Sequence, residues 1–390
     1  MTRKKIGIVN PRLGDLKGGG GVIQGIWVLE ALKDSHDLTL ITTGNVNFKK
    51  LNTYCGTSIK SDEIKILKVP HFVLNHTDRF TSLRFSALNR FSKKISPSFD
   101  IMFSTYSVMD FGQRGIQYIG DLLFSDELCQ HFYKAPQKRA KSWFYKDSIL
   151  RRAYMKLCQR DQRSSKELLS ENLTLVNSEW TAELIKRTYG INPLVVYPPV
   201  AGGRTSVKWE DKEMGFVLIG KLVPFKQVER AIEIIRRTRE KGFDVHLHII
   251  GWIEDSYYAK NIEKLCRAYK SWCFLEGEMF GEQKWTFIDK HRFGIHSCWV
   301  EAFGVAVAEL AKAGCIVWVP NGGGQVEVVD HPMLIYEDVE DAVRKITRVL
   351  EKDNLQTDLR QHLSQQSEKF STETFSSQIK KIVQQFQDYK

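Results

Sequence analysis

The chain has 390 residues, with 57 Lys+Arg against 46 Asp+Glu for a formal charge of +11, and is 42% hydrophobic and 26% charged. That length predicts two domains, because a single core rarely grows past ~250–300 residues, and the composition excludes collagen, coiled coil, disordered tail and disulfide scaffold. Seven cysteines with no C-x-x-C pair and no apolar run near the ~18–20 residues of a membrane helix predict a reduced, cytoplasmic protein.

In chain order, Ile6–Val9 is a short apolar run, too brief for a signal-peptide core, and predicts a first strand before the glycine turn Gly18–Gly21. Apolar residues at 22, 23, 26, 28, 29 and 32 then predict a buried helix. Leu38–Thr42, Ile64–Val69, Phe99–Phe103 and Leu173–Val176 read as further strands, with Ser178 as the N-cap of a helix after the last. Val195-Val-Tyr-Pro-Pro-Val200 with Ala201-Gly-Gly203 is the best linker signal. Beyond it, strands at Phe216–Gly220, Val245–Ile250, Arg292–His296 and Cys315–Val319 alternate with helices at Val228–Lys241, Tyr257–Tyr269 and Val305–Ala313. Such alternation predicts two parallel sheets with helices on both faces, over residues 1–198 and 199–370. A Gln-rich final helix within 371–390 is expected to pack back on the first domain.

The positive charge is unevenly placed. Residues 1–200 hold 30 Lys+Arg and 18 Asp+Glu, so the second half is nearly neutral. Eleven of the basic residues fall in Lys134–Lys166, where Trp143, Leu150, Tyr154 and Leu157 recur at helical spacing. Two readings stay open: a helix whose aromatic stripe packs on the core beneath a solvated basic face, or one lying on an anionic membrane surface, each base adding ~1 kcal/mol near acidic lipid.

Common phosphate-binding signatures fail. Read from Gly18 or Gly19, G-x-G-x-x-G breaks at Ile23 or Gln24, and in Gly215–Leu222 a Leu replaces the Ser/Thr of a P-loop. More informative are Lys221 and Lys226, five residues apart after the strand Phe216–Gly220, where two ammonium groups suit a diphosphate. Glu301-Ala-Phe-Gly-Val-Ala-Val-Ala-Glu309 spaces two carboxylates eight apart, which on one helix would share a face, and Gly304 opens a helix N-terminus suited to an anion. Pro320-Asn-Gly-Gly-Gly-Gln-Val-Glu327 is a glycine loop whose amides are expected to approach a ligand. His296 ends a strand beside this group and reads either as core or as functional, whereas His246 and His248, alternating on a strand, read as structural.

Together these residues resemble the retaining glycosyltransferases of family GT4, which have the GT-B fold. Glu301…Glu309 matches the E-x7-E motif, Gly220-Lys221…Lys226 the donor-phosphate element, Gly322–Glu327 the late glycine loop, Asn177–Gly190 the last N-domain helix and Gly18–Gly21 the first glycine loop. Gly294-Ile-His296 and Val196-Tyr-Pro-Pro199 are most similar to the branch holding the lipid-linked-oligosaccharide mannosyltransferases and their bacterial relatives. The resemblance covers essentially the whole chain. It implies an α/β architecture of two doubly wound, Rossmann-like domains facing across a cleft that closes about the linker.

The same resemblance implies roles. Lys221 and Lys226 would hold the donor diphosphate, Glu309 the ribose, and Glu301 with the amides of Phe303, Gly304 and Val305 the transferred sugar, while Gly19, Gly20 and Gly21 would admit a phosphate or the acceptor. Lys221 stands where the family commonly has Arg, which gives up bidentate phosphate contact. Gly120 stands where many relatives carry a catalytic His, so Asp121 is the candidate replacement and His296 the other. The expected function is therefore transfer of a sugar from a nucleotide-diphosphate sugar to a glycan or lipid-linked acceptor, in polysaccharide or cell-envelope glycan synthesis. No cofactor or metal is required on this reading, and no nucleic acid is expected as a partner. A cytoplasmic location, peripheral to the membrane through 134–166, would follow. The alternatives are a sugar-nucleotide epimerase or glycogen-type synthase, and a non-catalytic protein binding anionic lipid or nucleic acid.

Overall fold

Strands buried on both faces form the centre of each half. The computed structural model describes residues 3–11, 13, 19–69, 81–122, 124–125, 128, 131–132, 149–159, 163–203, 206–253 and 256–388. It divides into two compact units, Met1–Pro199 with Phe375–Lys390, and Val200–Thr374.

In the first unit, β1 (Lys5–Val9), β2 (Asp37–Thr42), β3 (Lys65–Lys68), β4 (Ile101–Ser104), β5 (Ile116–Ile119), β6 (Leu173–Val176) and β7 (Leu194–Val195) form one sheet in the order β3-β2-β1-β4-β5-β6-β7. Every pairing is parallel. The central strands read as near-continuous apolar runs because helices cover both faces. Those helices are α1 (Gly20–Leu32), α2 (Phe48–Cys55), α3 (Thr81–Ile95), α4 (Ile149–Gln159), α5 (Ser165–Glu171) and α6 (Glu179–Tyr189). Ser178 caps α6 as its spacing predicts: its hydroxyl accepts the Thr181 amide at 3.0 Å. The strand β5 goes unmarked in the sequence reading; its Tyr118 is fully buried and donates to the Val196 carbonyl.

The second unit repeats the plan. Its strands β8 (Glu213–Ile219), β9 (His246–Ile250), β10 (Cys273–Gly277), β11 (His291–Ile295), β12 (Ile316–Pro320) and β13 (Ile335–Tyr336) run parallel in the order β10-β9-β8-β11-β12-β13. Around them lie α7 (Val228–Glu240), α8 (Tyr257–Ala268), α9 (Gly281–Asp289), α10 (Val305–Lys312), α11 (Gln325–Val329), α12 (Val339–Leu350) and α13 (Asp353–Ser367). Phe216, Phe293 and Trp318 from adjacent strands pack ring to ring, with centroids 5.0 and 5.8 Å from Phe216. The Trp318 indole donates to the Met333 carbonyl at 3.1 Å, so its one polar atom is satisfied inside the core. The last helix, α14 (Thr372–Gln384), belongs to the first unit from Phe375 onward, where Phe375 stacks on Tyr118 and the Arg114 guanidinium covers Phe386.

Most of the basic stretch, 134–148 and 160–162 with Trp143, lies outside the described residues. What is described divides its stripe. The Tyr154 hydroxyl accepts the Leu83 amide at 3.1 Å and so packs toward α3, whereas Ile149 and Leu150 are 78% and 69% exposed. Among the described residues no helix is long and apolar enough to cross a membrane, and the six described cysteines form no disulfide.

Candidate active site

A doubly wound sheet binds ligands where its strand order reverses, outside the strands' C-terminal ends. In the second unit that point lies between β8 and β11. The loop after β8 carries Lys221 and Lys226, and the loop after β11 carries His296 to Glu301. Backbone packing fixes the first loop: a Cβ at Gly251, just past β9, would fall 1.7 Å from the Gly220 carbonyl oxygen. A single 3₁₀ turn, Pro224–Lys226, then aims Lys226 back toward β11.

The structure joins the residues the sequence singled out. Lys226 Nζ forms an ion pair with Glu301 Oε1, and His296 Nε2 lies 3.6 Å from the same oxygen. Ser297 Oγ donates to the Lys226 carbonyl at 2.8 Å, tying the two loops together. Burial lowers the Lys226 pKa, and the like charge of Lys221 lowers it further, against an opposing effect of Cys298 that is smaller than that of burial. Lys221 itself sits with Nζ 5.9 Å from the Trp252 ring centre. His296 is buried, and burial, aided by the Lys226 charge, pushes its imidazole pKa down to about 3, so the ring is neutral. The Tyr336 hydroxyl donates to the His296 carbonyl at 2.6 Å, which fixes its backbone.

Spacing on one helix does not describe the two glutamates. Only Glu309 is helical; Glu301 lies in the loop before Gly304, whose φ of 95° starts α10. The turn frees Glu301 to reach Lys226, whereas Glu309 pairs with Lys284 of α9 at 2.5 Å. Lys284 carries no sequence signal, since it stands in an ordinary helix between Gln283 and Trp285. The glycine loop after β12 also differs from expectation. Its close approach is to the Glu301 segment: Gly324 donates its amide to the Glu301 carbonyl at 2.7 Å, and a Cβ at Gly323 would lie 2.3 Å from that oxygen. Buried Gln325 completes the brace, accepting the Glu301 amide at 3.0 Å and donating to the Trp299 carbonyl at 3.0 Å. Phe303 is buried against Phe370, so only its backbone can serve a ligand, beside Gly304 and Val305 at the start of α10.

In the first unit, Gly19 precedes α1 with φ 63°, Gly20 and Gly21 begin the helix, and Asp121 follows β5 in a bend. At Gly120 a Cβ would fall 2.3 Å from Gln24 Oε1, so a histidine cannot stand there without displacing that buried side chain. His296, Cys298 and Glu301 bring three potential metal donors within 4.8 Å of one another. Glu301 is already paired with Lys226, and burial raises the Cys298 pKa and keeps it a thiol, so this group suits an uncharged or phosphate-bearing ligand better than a cation.

Residues 204–370 match the family model described as glycosyl transferases group 1. A GDP-Man:Man(3)GlcNAc(2)-PP-Dol alpha-1,2-mannosyltransferase of Dictyostelium discoideum is 24% identical over 235 residues, covering 54% of this chain and 46% of that protein. The Neurospora crassa protein of the same name is 25% identical over 187 residues, covering 40% and 34%. The match thus spans under half the length of these relatives. Among solved structures, Anabaena Alr3699/HepE in complex with UDP and glucose superposes with a TM-score of 0.70 at 13% identity, over 98% of this chain and 100% of that one. WaaG, a glycosyltransferase involved in lipopolysaccharide biosynthesis, gives 0.64 at 13% identity over 96% and 99%. At such identities the likeness is one of fold, the two-unit α/β GT-B fold.

Proposed function

We propose that this chain, whose residues 204–370 match the glycosyl transferases group 1 model, is a GT4-like glycosyltransferase that transfers mannose from GDP-mannose to a lipid-linked glycan with retention of configuration. The substrate in the relatives' names supports this donor, and one observation supports the chemistry: the Lys226–Glu301 ion pair at the β8–β11 switch point. When the donor binds, its diphosphate competes for Lys226 and adds Lys221, and Glu301 is released to accept a hydrogen bond from a sugar hydroxyl. Glu309, held by Lys284, is then the acceptor for the ribose hydroxyls.

In the transfer step the bond from C1 to the diphosphate oxygen breaks. The acceptor hydroxyl oxygen bonds to C1 on the same face, and its proton passes to the departing diphosphate. The two ammonium groups and the amides opening α10 offset the charge that develops on the leaving group, where preorganised dipoles are most effective. No protein nucleophile is needed, and neutral His296 stands 3.6 Å from Glu301 without adding charge to the site.

The test is thermal unfolding against GDP-, UDP- and ADP-sugars. GDP-mannose at 100 times its Kd is expected to stabilise the chain by about 2.7 kcal/mol. NMR of the product should show the donor's anomeric configuration. Stabilisation by a UDP-sugar alone would change the donor, and an inverted product would overturn the mechanism.

A further inference from the structure

We propose that Glu213, His246, His248 and His291 bind one Zn²⁺ that ties β8, β9 and β11 together at their N-terminal ends. This site lies at the end of the second sheet opposite Lys226 and Glu301, and it is independent of the transfer reaction. Glu213 opens β8, His246 opens β9 and His291 opens β11, with His291 paired to Glu213 and His246 to Gly215 in the ladders. His248, two residues on from His246, faces the same side of the sheet. Each residue offers one donor atom, and the four atoms lie within 4.8 Å of one another. A tetrahedral zinc with bonds of about 2.0–2.1 Å needs donors about 3.3 Å apart. His246 Nε2 is already 3.3 Å from Glu213 Oε2, and His291 Nε2 is 3.8 Å from it.

The surrounding contacts set the ring nitrogens as zinc requires. His291 Nδ1 lies 2.8 Å from the Phe287 carbonyl, which can only accept, so Nδ1 carries the hydrogen and Nε2 presents a lone pair. His248 Nδ1 lies 2.7 Å from Glu276 Oε1, a carboxylate behind an imidazole, which again leaves Nε2 as the donor to a metal. His246 Nε2 and His291 Nε2 are buried with no hydrogen-bond partner. Buried polar atoms are rarely left so, and a cation between them would satisfy both at once. Gly215 leaves the necessary space, since a Cβ there would fall 2.3 Å from His246 Nε2 and 2.5 Å from His291 Cδ2. Phe274 stacks on His248 and Phe287 packs against His248 and His291, so apolar rings border the histidines. Three nitrogens and one oxygen favour zinc over calcium or magnesium, which prefer all-oxygen shells.

The full chain, stripped with chelator, is titrated with Co²⁺ and then with Zn²⁺. One Co²⁺ per chain is expected, with the visible bands of a tetrahedral nitrogen–oxygen site and no thiolate charge-transfer band, and Zn²⁺ should displace it. Glu213→Gln, at an exposed position, should weaken Co²⁺ binding about tenfold or more with the circular dichroism unchanged; His248→Asn with His291→Asn should abolish it. The proposal is overturned if the folded chain shows no visible Co²⁺ band, or if stoichiometry and affinity survive Glu213→Gln. It is also overturned by a thiolate band that disappears in Cys298→Ser, which would place the ion at His296, Cys298 and Glu301 instead.

Discussion

At the scale of single residues, one carboxylate organises the site: Glu301 faces Lys226 and the neutral His296 at once. Charge-assisted contacts to a phosphate are worth about 1.5–3 kcal/mol each, so Lys226→Ala should weaken GDP binding about 10- to 100-fold in calorimetry. Unchanged affinity would remove Lys226 from the donor site. His296 allows a second test. Its pKa is held at about 3, below the ordinary imidazole value of 6.5, so the unfolded chain takes up a proton that the folded chain refuses. Stability is therefore full above pH 6.5 and is lost as pH falls from there toward the folded value, by up to about 1.4 kcal/mol per unit. Urea midpoints at pH 6.5 and 4.5 should fall more in the parent chain than in His296→Asn, which cannot titrate. Parallel slopes would show that His296 takes up its proton in the fold as readily as outside it. Lys221, Lys226 and Glu301 are legible in the sequence because they follow the strands β8 and β11. Lys284 is not, because its role depends on how α9 lies against α10, a tertiary relation that no local pattern encodes.

At the scale of elements, the loop after β12 works as a brace. Gly323 has φ 74° and lies against the Glu301 carbonyl, and Gln325 holds the Glu301 amide from the other side. Gly323→Ala combines a left-handed backbone with a backbone collision and should lower the unfolding free energy by about 1–3 kcal/mol. Because the collision is with Glu301, GDP-mannose affinity should fall at least tenfold as well, by about 1.4 kcal/mol. Lost stability with undiminished affinity would separate the brace from the site. The strands with β-branched or aliphatic runs, such as Ile6–Val9 and Leu173–Val176, are readable from sequence alone, each within a residue of β1 and β6. Harder to read are β5 and β10, which mix Gln117 or Glu276 into their apolar runs; tertiary pairing rather than pattern makes them strands. The E-x7-E spacing misleads for a related reason. Helical periodicity assumes a continuous helix, and Gly304, with its positive φ, breaks the backbone between the two carboxylates.

At the scale of the whole molecule, the excess charge belongs to the half that does not carry the lysine–glutamate site. On the proposed function, a lipid-linked acceptor would be anionic and presented at a surface, and a basic first half would concentrate the chain there. The described part of the basic stretch supplies the needed chemistry: Ile149 and Leu150 stand exposed at the start of α4, with Arg152 and Lys156 also on the exposed side. Apolar side chains at the tip with bases along the exposed face suit insertion at the level of lipid headgroups. Vesicles containing phosphatidylserine should therefore sediment the chain, and neutral phosphatidylcholine vesicles should not. Raising salt from 0.1 to 1 M shortens the screening length from about 10 to 3 Å and should release it. Replacing Ile149 and Leu150 by Ser removes apolar contact without altering charge, and binding should drop several-fold while GDP-mannose affinity stays unchanged. Equal sedimentation with neutral and acidic vesicles, or indifference to the double substitution, would mean that the basic face is simply solvated and that the acceptor is recognised without help from the surface.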